Sequence, residues 1–120
     1  MNQDKSLPII EVAYRLALQL NKVVVKFPRH QRPGFGRRIE ETAFNFLEAL
    51  TAARYRGLGN KANLLTHASN YLDNLRLSVR MSFDLGYLPN KSYEELSKVI
   101  AEAGRMLGGW QKSQKQSEGL

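Results

Sequence analysis

The chain has 120 residues, no cysteine, a net charge of +7 and a mean hydropathy of −0.42. That length suits one domain with a single core rather than two, and the missing thiols exclude disulfides, thiolate nucleophiles and thiolate metal sites. No apolar run approaches the roughly 20 residues of a membrane span, and Met1–Lys5 lacks the basic-then-apolar order of a signal peptide, so a cytoplasmic location with no membrane partner is expected.

Four segments repeat apolar residues at steps of three and four, and none alternates as a strand does, which predicts an all-α fold. The first helix, about 6–27, carries Ile9, Ala13, Leu16, Leu20, Val23 and Phe27, with Ser6 as its expected N-cap and Pro28 as its stop. Val23-Val24-Val25 is β-branched and makes the last turn the weakest part of that helix. The second, about 35–57, carries Ile39, Ala43, Phe46, Leu47, Leu50 and Ala53. Glu40 and Glu41 suit its positive end and Arg54 and Arg56 its negative end, and Gly57 and Gly59 close it. Asn60 is placed to cap the third, about 60–86, whose stripe is Leu64, Ala68, Leu72, Leu75, Val79 and Phe83, ended by Gly86. Ser92 followed by Glu95 reads as a capping box for the fourth, about 91–110, with Tyr93, Leu96, Ile100, Ala103, Leu107 and Trp110 in register.

Residues 1–5 and 112–120 are expected to be flexible ends around a bundle spanning 6–111, since the Lys, Gln and Ser beyond Gln111 form no apolar stripe. Long helices joined by short turns lie antiparallel, so an up-down four-helix bundle is predicted. The first connection, with two prolines, is longer and stiffer than a minimal turn.

That connection is where the charge sits. Lys22, Lys26, Arg29, Arg32, Arg37 and Arg38 fall within a stretch that adds His30 and contains no Asp or Glu. Those are six of the 18 basic residues, and the remaining 12 face 11 acidic ones, so nearly all of the net charge is local. A focused positive field is the footprint of a polyanion, because phosphate contacts release counterions and steer association. Nucleic acid is the first hypothesis; a helical oligomerisation module whose positive loop binds an acidic protein is the second.

Little in the sequence assembles into an active site. His30 and His67 lie in different segments, without HxxxH or ExxH spacing, so no metal site and no cofactor are expected. His67 instead lines up with Asn70 and Asn74 as a polar strip facing solvent or a subunit contact. Neither GxSxG nor GxxxxGK[ST] occurs. Helical ribonucleases need an Arg shortly before a His on one helix, whereas Arg56 is separated from His67 by the Gly57–Gly59 break. Glu40-Glu41 and Glu94-Glu95 are sequence neighbours and point to different sides of a helix. Tyr14, Tyr55, Tyr71, Tyr87 and Tyr93 fall on or beside apolar stripes, where packing is their expected role. Gly104 and Gly108 inside the fourth helix suggest a close helix approach, and Gly109 a C-cap.

Three segments carry a family resemblance: Phe27-Pro28-Arg29-His30-Gln31-Arg32, then Leu72-Asp73-Asn74-Leu75-Arg76-Leu77-Ser78-Val79-Arg80, then Glu102-Ala103-Gly104-Arg105-Met106-Leu107-Gly108-Gly109-Trp110. Together they resemble the accessory variability determinant, Avd, of diversity-generating retroelements. Phe27-Pro28 through Gly36 is also shared with four-helix proteins encoded in ribosomal-RNA intervening sequences, which stay open as the alternative family. The Avd resemblance implies a four-helix protomer in a homopentameric barrel, with no enzymatic activity and no catalytic residues. It implies partners too: the element's reverse transcriptase, and RNA or DNA held by a basic exterior. Arg29, Arg32, Arg37 and Arg38 are then the expected phosphate contacts, with Lys22, Lys26 and His30 beside them. Arg54, Arg56, Arg76 and Arg80 are expected to touch nucleic acid or the reverse transcriptase. For Arg76 and Arg80 the competing role is pairing with Asp73 and Asp84 at helical spacing. Pro33-Gly34-Phe35-Gly36 departs from a regular helix start and leaves the local loop shape open.

Overall fold

Each apolar stripe makes its helix one-sided, and four one-sided helices bury those sides by facing a common axis. The computed structural model describes residues 4–57 and 59–118, which form α1 (Ser6–Val24), α2 (Arg37–Arg56), α3 (Lys61–Asp84) and α4 (Asn90–Glu118). Neighbours pack in the order α1–α2–α3–α4 and back to α1, so α1 lies diagonally across from α3, and α2 from α4. The all-α bundle expected from periodicity is what forms, in a body of 51 × 24 × 18 Å. Among the described residues no helix is long and apolar enough to cross a membrane.

The core follows the stripes. Ile9, Leu16, Leu20, Phe46, Leu50, Leu75, Ile100 and Leu107 are all buried, each contributing about 1.5–3 kcal/mol by leaving water. Leu65 and Leu88, outside the predicted stripes, join them.

Boundaries shift where local chemistry competes. α1 stops at Val24 instead of Phe27, and the Lys26 and Phe27 amides donate to the Val23 and Val24 carbonyls at 3.0 Å in a tighter turn. Ser6 is inside α1 rather than its N-cap; the Asp4 carboxylate accepts the Ser6 N–H at 2.9 Å. Asp4 is therefore held, while residues 1–3 lie outside the described residues. Asn60 occupies the N-cap position of α3, but its side chain accepts from the Asn63 amide at 3.0 Å instead of from the backbone. α3 ends in a Schellman turn: Gly86 adopts φ +82°, and the Tyr87 N–H reaches back to the Ser82 carbonyl at 2.8 Å. α4 starts at Asn90, with Tyr93 N–H donating to Pro89 O at 3.0 Å, so Ser92 sits within the first turn and caps nothing.

α4 also runs past its predicted end near Trp110, and past the tail expected to be flexible from 112, as far as Glu118; residues 119–120 lie outside the described residues. Trp110, 7 % exposed, anchors the helix against the core, and Lys and Gln then continue it at little cost in propensity. Gly109 is accordingly no C-cap.

Candidate nucleic-acid interface

Antiparallel packing brings the C-termini of α1 and α3 and the N-termini of α2 and α4 to one end of the bundle. The whole basic tract is at that end. Its scaffold is not an open loop: Arg29–Gln31 forms a 3-10 turn and Arg32–Gly36 a π turn that leads directly into α2. Gly36 makes this path possible, because a Cβ there would sit 2.6 Å from Val24 Cγ1. Beneath the turns, Phe27 is buried, with Phe35 stacked on it at 6.0 Å and Tyr87 tilted against it at 5.3 Å. Gln31 Nε2 donates to the Tyr87 hydroxyl at 3.1 Å, pinning the first connection to the α3–α4 turn. Tyr87 and Tyr93 thus work as packing groups, Tyr93 stacking on Phe83 at 4.3 Å, whereas Tyr14 and Tyr55 are exposed.

Lys22, Lys26, Arg29, His30, Arg32, Arg37 and Arg38 are all exposed. They are not equivalent. Arg32 Nε donates to the Phe27 carbonyl at 2.9 Å, covering an acceptor left over at the end of α1. Arg37 pairs with Glu41 at 2.9 Å one turn along α2, and the carboxylate pushes the guanidinium pKa up. Lys22, Lys26, Arg29 and Arg38 make no ion pair among the described residues. Lys22 and Lys26 flank a groove of about 420 Å³ whose other wall is Tyr87, Leu88, Pro89 and Ser92.

The other predicted contacts are elsewhere. Arg76 pairs with Asp73 at 2.9 Å and Arg80 with Asp84 at 3.6 Å on the exposed surface of α3, arrangements worth about 0.3–0.5 kcal/mol. Gly104 lies against α3, where a Cβ would meet Arg76 Nη2 at 3.4 Å and Leu72 Cδ2 at 3.8 Å, while Gly108 has nothing within 4 Å of that position. Arg54, its side chain 23 % exposed, is at the opposite end of the bundle, bonded to Asp4 and Ser6 and 5.0 Å from the Tyr55 ring centroid. Its charge is committed internally. Hydrogen bonds from the Ser6 hydroxyl, from Arg54 and from the Ser6 amide hold the Asp4 carboxyl well below the usual carboxylate range. Arg56 is exposed near the same end, where a cleft of about 880 Å³ opens between Arg54, Tyr55, Lys61 and Trp110. His67, Asn70 and Asn74 are exposed along the outward side of α3. Among the described residues no three His, Asp or Glu side chains converge as metal ligands.

A family model described as bAvd-like matches residues 8–114. The chain belongs to the bAvd-like family. Membership makes it an Avd-like accessory protein, implies a diversity-generating retroelement as its setting, and suggests a non-catalytic role. No curated protein matches the chain. For this Avd-like protein, charge counted by runs along the sequence overlooks four further cations, Lys91, Lys98, Arg105 and Lys112. They are separated by seven residues each, a spacing visible in the sequence only once α4 is known to continue to Glu118.

Proposed function

We propose that this Avd-like protein is a non-catalytic cytoplasmic scaffold that holds template RNA, and with it the reverse transcriptase, during mutagenic copying. The observation that carries the reading is the cluster of exposed cations on a packed backbone at one bundle end, with Arg37 answered by Glu41 and Lys22, Lys26, Arg29 and Arg38 free of ion pairs among the described residues. Unpaired cations have no ion pair to break on meeting phosphates, and most of the affinity comes from counterion release. Recognition is then of shape and backbone more than of base sequence. Arg56, Arg76 and Arg80, outside that cluster, are left for the polymerase, although Arg80 lies near the same bundle end on α3.

The same reading includes assembly into a pentamer. Leu7, Tyr14, Leu18 and Val25 lie exposed on the outward side of α1, and Leu77, Met81 and Leu85 on that of α3. Because α1 and α3 are diagonal, these are two different faces of one protomer, as a head-to-tail contact requires; such a contact closes into a ring where successive protomers are also rotated.

The test is RNA binding measured across salt concentrations. Wild type should bind with a log–log slope of about −0.7 per phosphate contacted on single strands. Changing Arg29, Arg32, Arg37 and Arg38 together to Gln should weaken binding and flatten that slope while leaving helicity intact. Unchanged affinity, or association with an acidic protein and not with RNA, would remove the cluster from this role.

A further inference from the structure

α4 presents a second basic surface that the tract at the bundle end does not include. Leu96, Ile100, Ala103, Leu107 and Trp110 turn one side of the helix to the core. Lys91, Lys98, Arg105 and Lys112 are all exposed on the opposite side. A seven-residue repeat drifts by only about 20° per step on a straight helix, so the four stay within one outward sector. Steps of seven residues at 1.5 Å rise space them about 10 Å apart and carry the row some 30 Å along the bundle.

None of the four makes an ion pair among the described residues. The acids nearby are Glu94 on the row itself, Glu95 and Glu102 on the flank towards α1, where Glu102 is 3.8 Å from Arg15, and Asp4, which lines a groove with Arg105 but is engaged by Arg54 and Ser6. From Arg105 to Ser117 no acid occurs. Ala101 and Gly108 flank the later cations on the side away from α1, so that side of the row is low, with Glu102 on the other side drawn towards Arg15; Gly108 has open space where its Cβ would be. At its N-terminal end the row meets the tract directly, since Lys22 and Lys26 share a groove with Pro89 and Ser92, the residues bracketing Lys91. A ring closed through the apolar faces of α1 and α3 would leave this side of α4 uncovered.

We infer that the outward face of α4 is a track for a phosphodiester backbone, continuing the path that starts at the basic end and running about 30 Å along the bundle. The occupant is RNA, the polyanion of the function proposed above, and the inference rests on that reading. Exposed, unpaired, regularly placed cations with low side chains along one side fit an extended backbone that passes over the helix. They fit an acidic globular partner less well, because such a surface offers no continuous line of charge.

The experiment compares wild type with the variant Lys91→Gln, Lys98→Gln, Arg105→Gln, Lys112→Gln on RNAs of about 8 and about 25 nucleotides, within and beyond the ~4–16 nucleotides a single OB fold covers. All four side chains are exposed, so the variant should keep wild-type helicity and melting temperature. Wild type should bind the long RNA tighter than the short one, with a steeper salt slope. The variant should match wild type on the short RNA, lose the advantage on the long one, and show a long-RNA slope smaller by up to about 3 units. Equal weakening on both lengths would mean a general charge effect, and an unchanged length dependence would mean no contact; either overturns the track. Failure of wild type to bind either RNA would instead overturn the nucleic-acid reading itself.

Discussion

Gly36→Ala tests whether the basic end is held by packing. The backbone there has φ −61° and ψ −46°, ordinary helical values, so alanine meets no conformational objection. Space is the objection. Its Cβ would lie 2.6 Å from Val24 Cγ1 and 3.3 Å from the Gln31 carbonyl oxygen, about 1 Å inside the usual carbon–carbon separation in the first case. Overpacking of that kind costs about 1–3 kcal/mol, and the helix preference of Ala over Gly returns about 1 kcal/mol, leaving a net loss of about 0–2 kcal/mol. Val24→Ala alone removes two buried methyl groups and should cost about 2 kcal/mol. In that background the clashing atom is gone, and Gly36→Ala should become neutral or stabilising by about 0.5–1 kcal/mol. The cycle should therefore show a coupling of about 2 kcal/mol in urea midpoints measured at one protein concentration with an unchanged m-value. Additive losses, within about 0.5 kcal/mol, would refute the close approach of the π turn to the end of α1.

Glu41→Gln should free Arg37 and raise RNA affinity, steepening the salt slope by about 0.7 units if Arg37 then reaches a phosphate; Arg37→Gln should change the slope less than Arg29→Gln. Asp4→Asn should lower stability near neutral pH. Because the folded state depresses the Asp4 pKa, that contribution is fully present above the unfolded carboxylate value, starts to fall as pH drops below about 4, and is gone only under the depressed native value, towards which the melting temperatures of variant and wild type should converge. Leu18→Asp on α1 and Leu77→Asp on α3 should each reduce the mass found by light scattering without reducing helicity; a mass that survives both would place the subunit contact elsewhere.

Periodicity carried most of the fold. Four apolar stripes identified the four helices, and nearly every residue on them is buried or packed against the core. What it could not supply were the ends. Gly108-Gly109 and the polar residues after Gln111 look like a stop, but Trp110 fills a core position and keeps the helix going. Pro33 and two glycines look like a loop, and tertiary packing on Phe27 winds them into a π turn. At the candidate interface, sequence identified which residues are cationic and that they cluster. Only coordinates could separate Arg37, answered by Glu41, from Arg29 and Arg38, and reveal that Arg54 is taken up by Asp4 at the other end.

The turns that carry Arg29 to Arg38 are helical and wedged onto aromatic rings, and that bears on selectivity. A cationic loop that wanders can mould itself to many polyanions and must surrender its freedom each time it does so. Here the backbone's freedom is already gone when folding ends, and the points from which the charged side chains spring keep their mutual distances whatever arrives. Such an array acts as a gauge: heparin-like chains and nucleic acids of equal charge should be told apart by whether their anionic groups match its spacing.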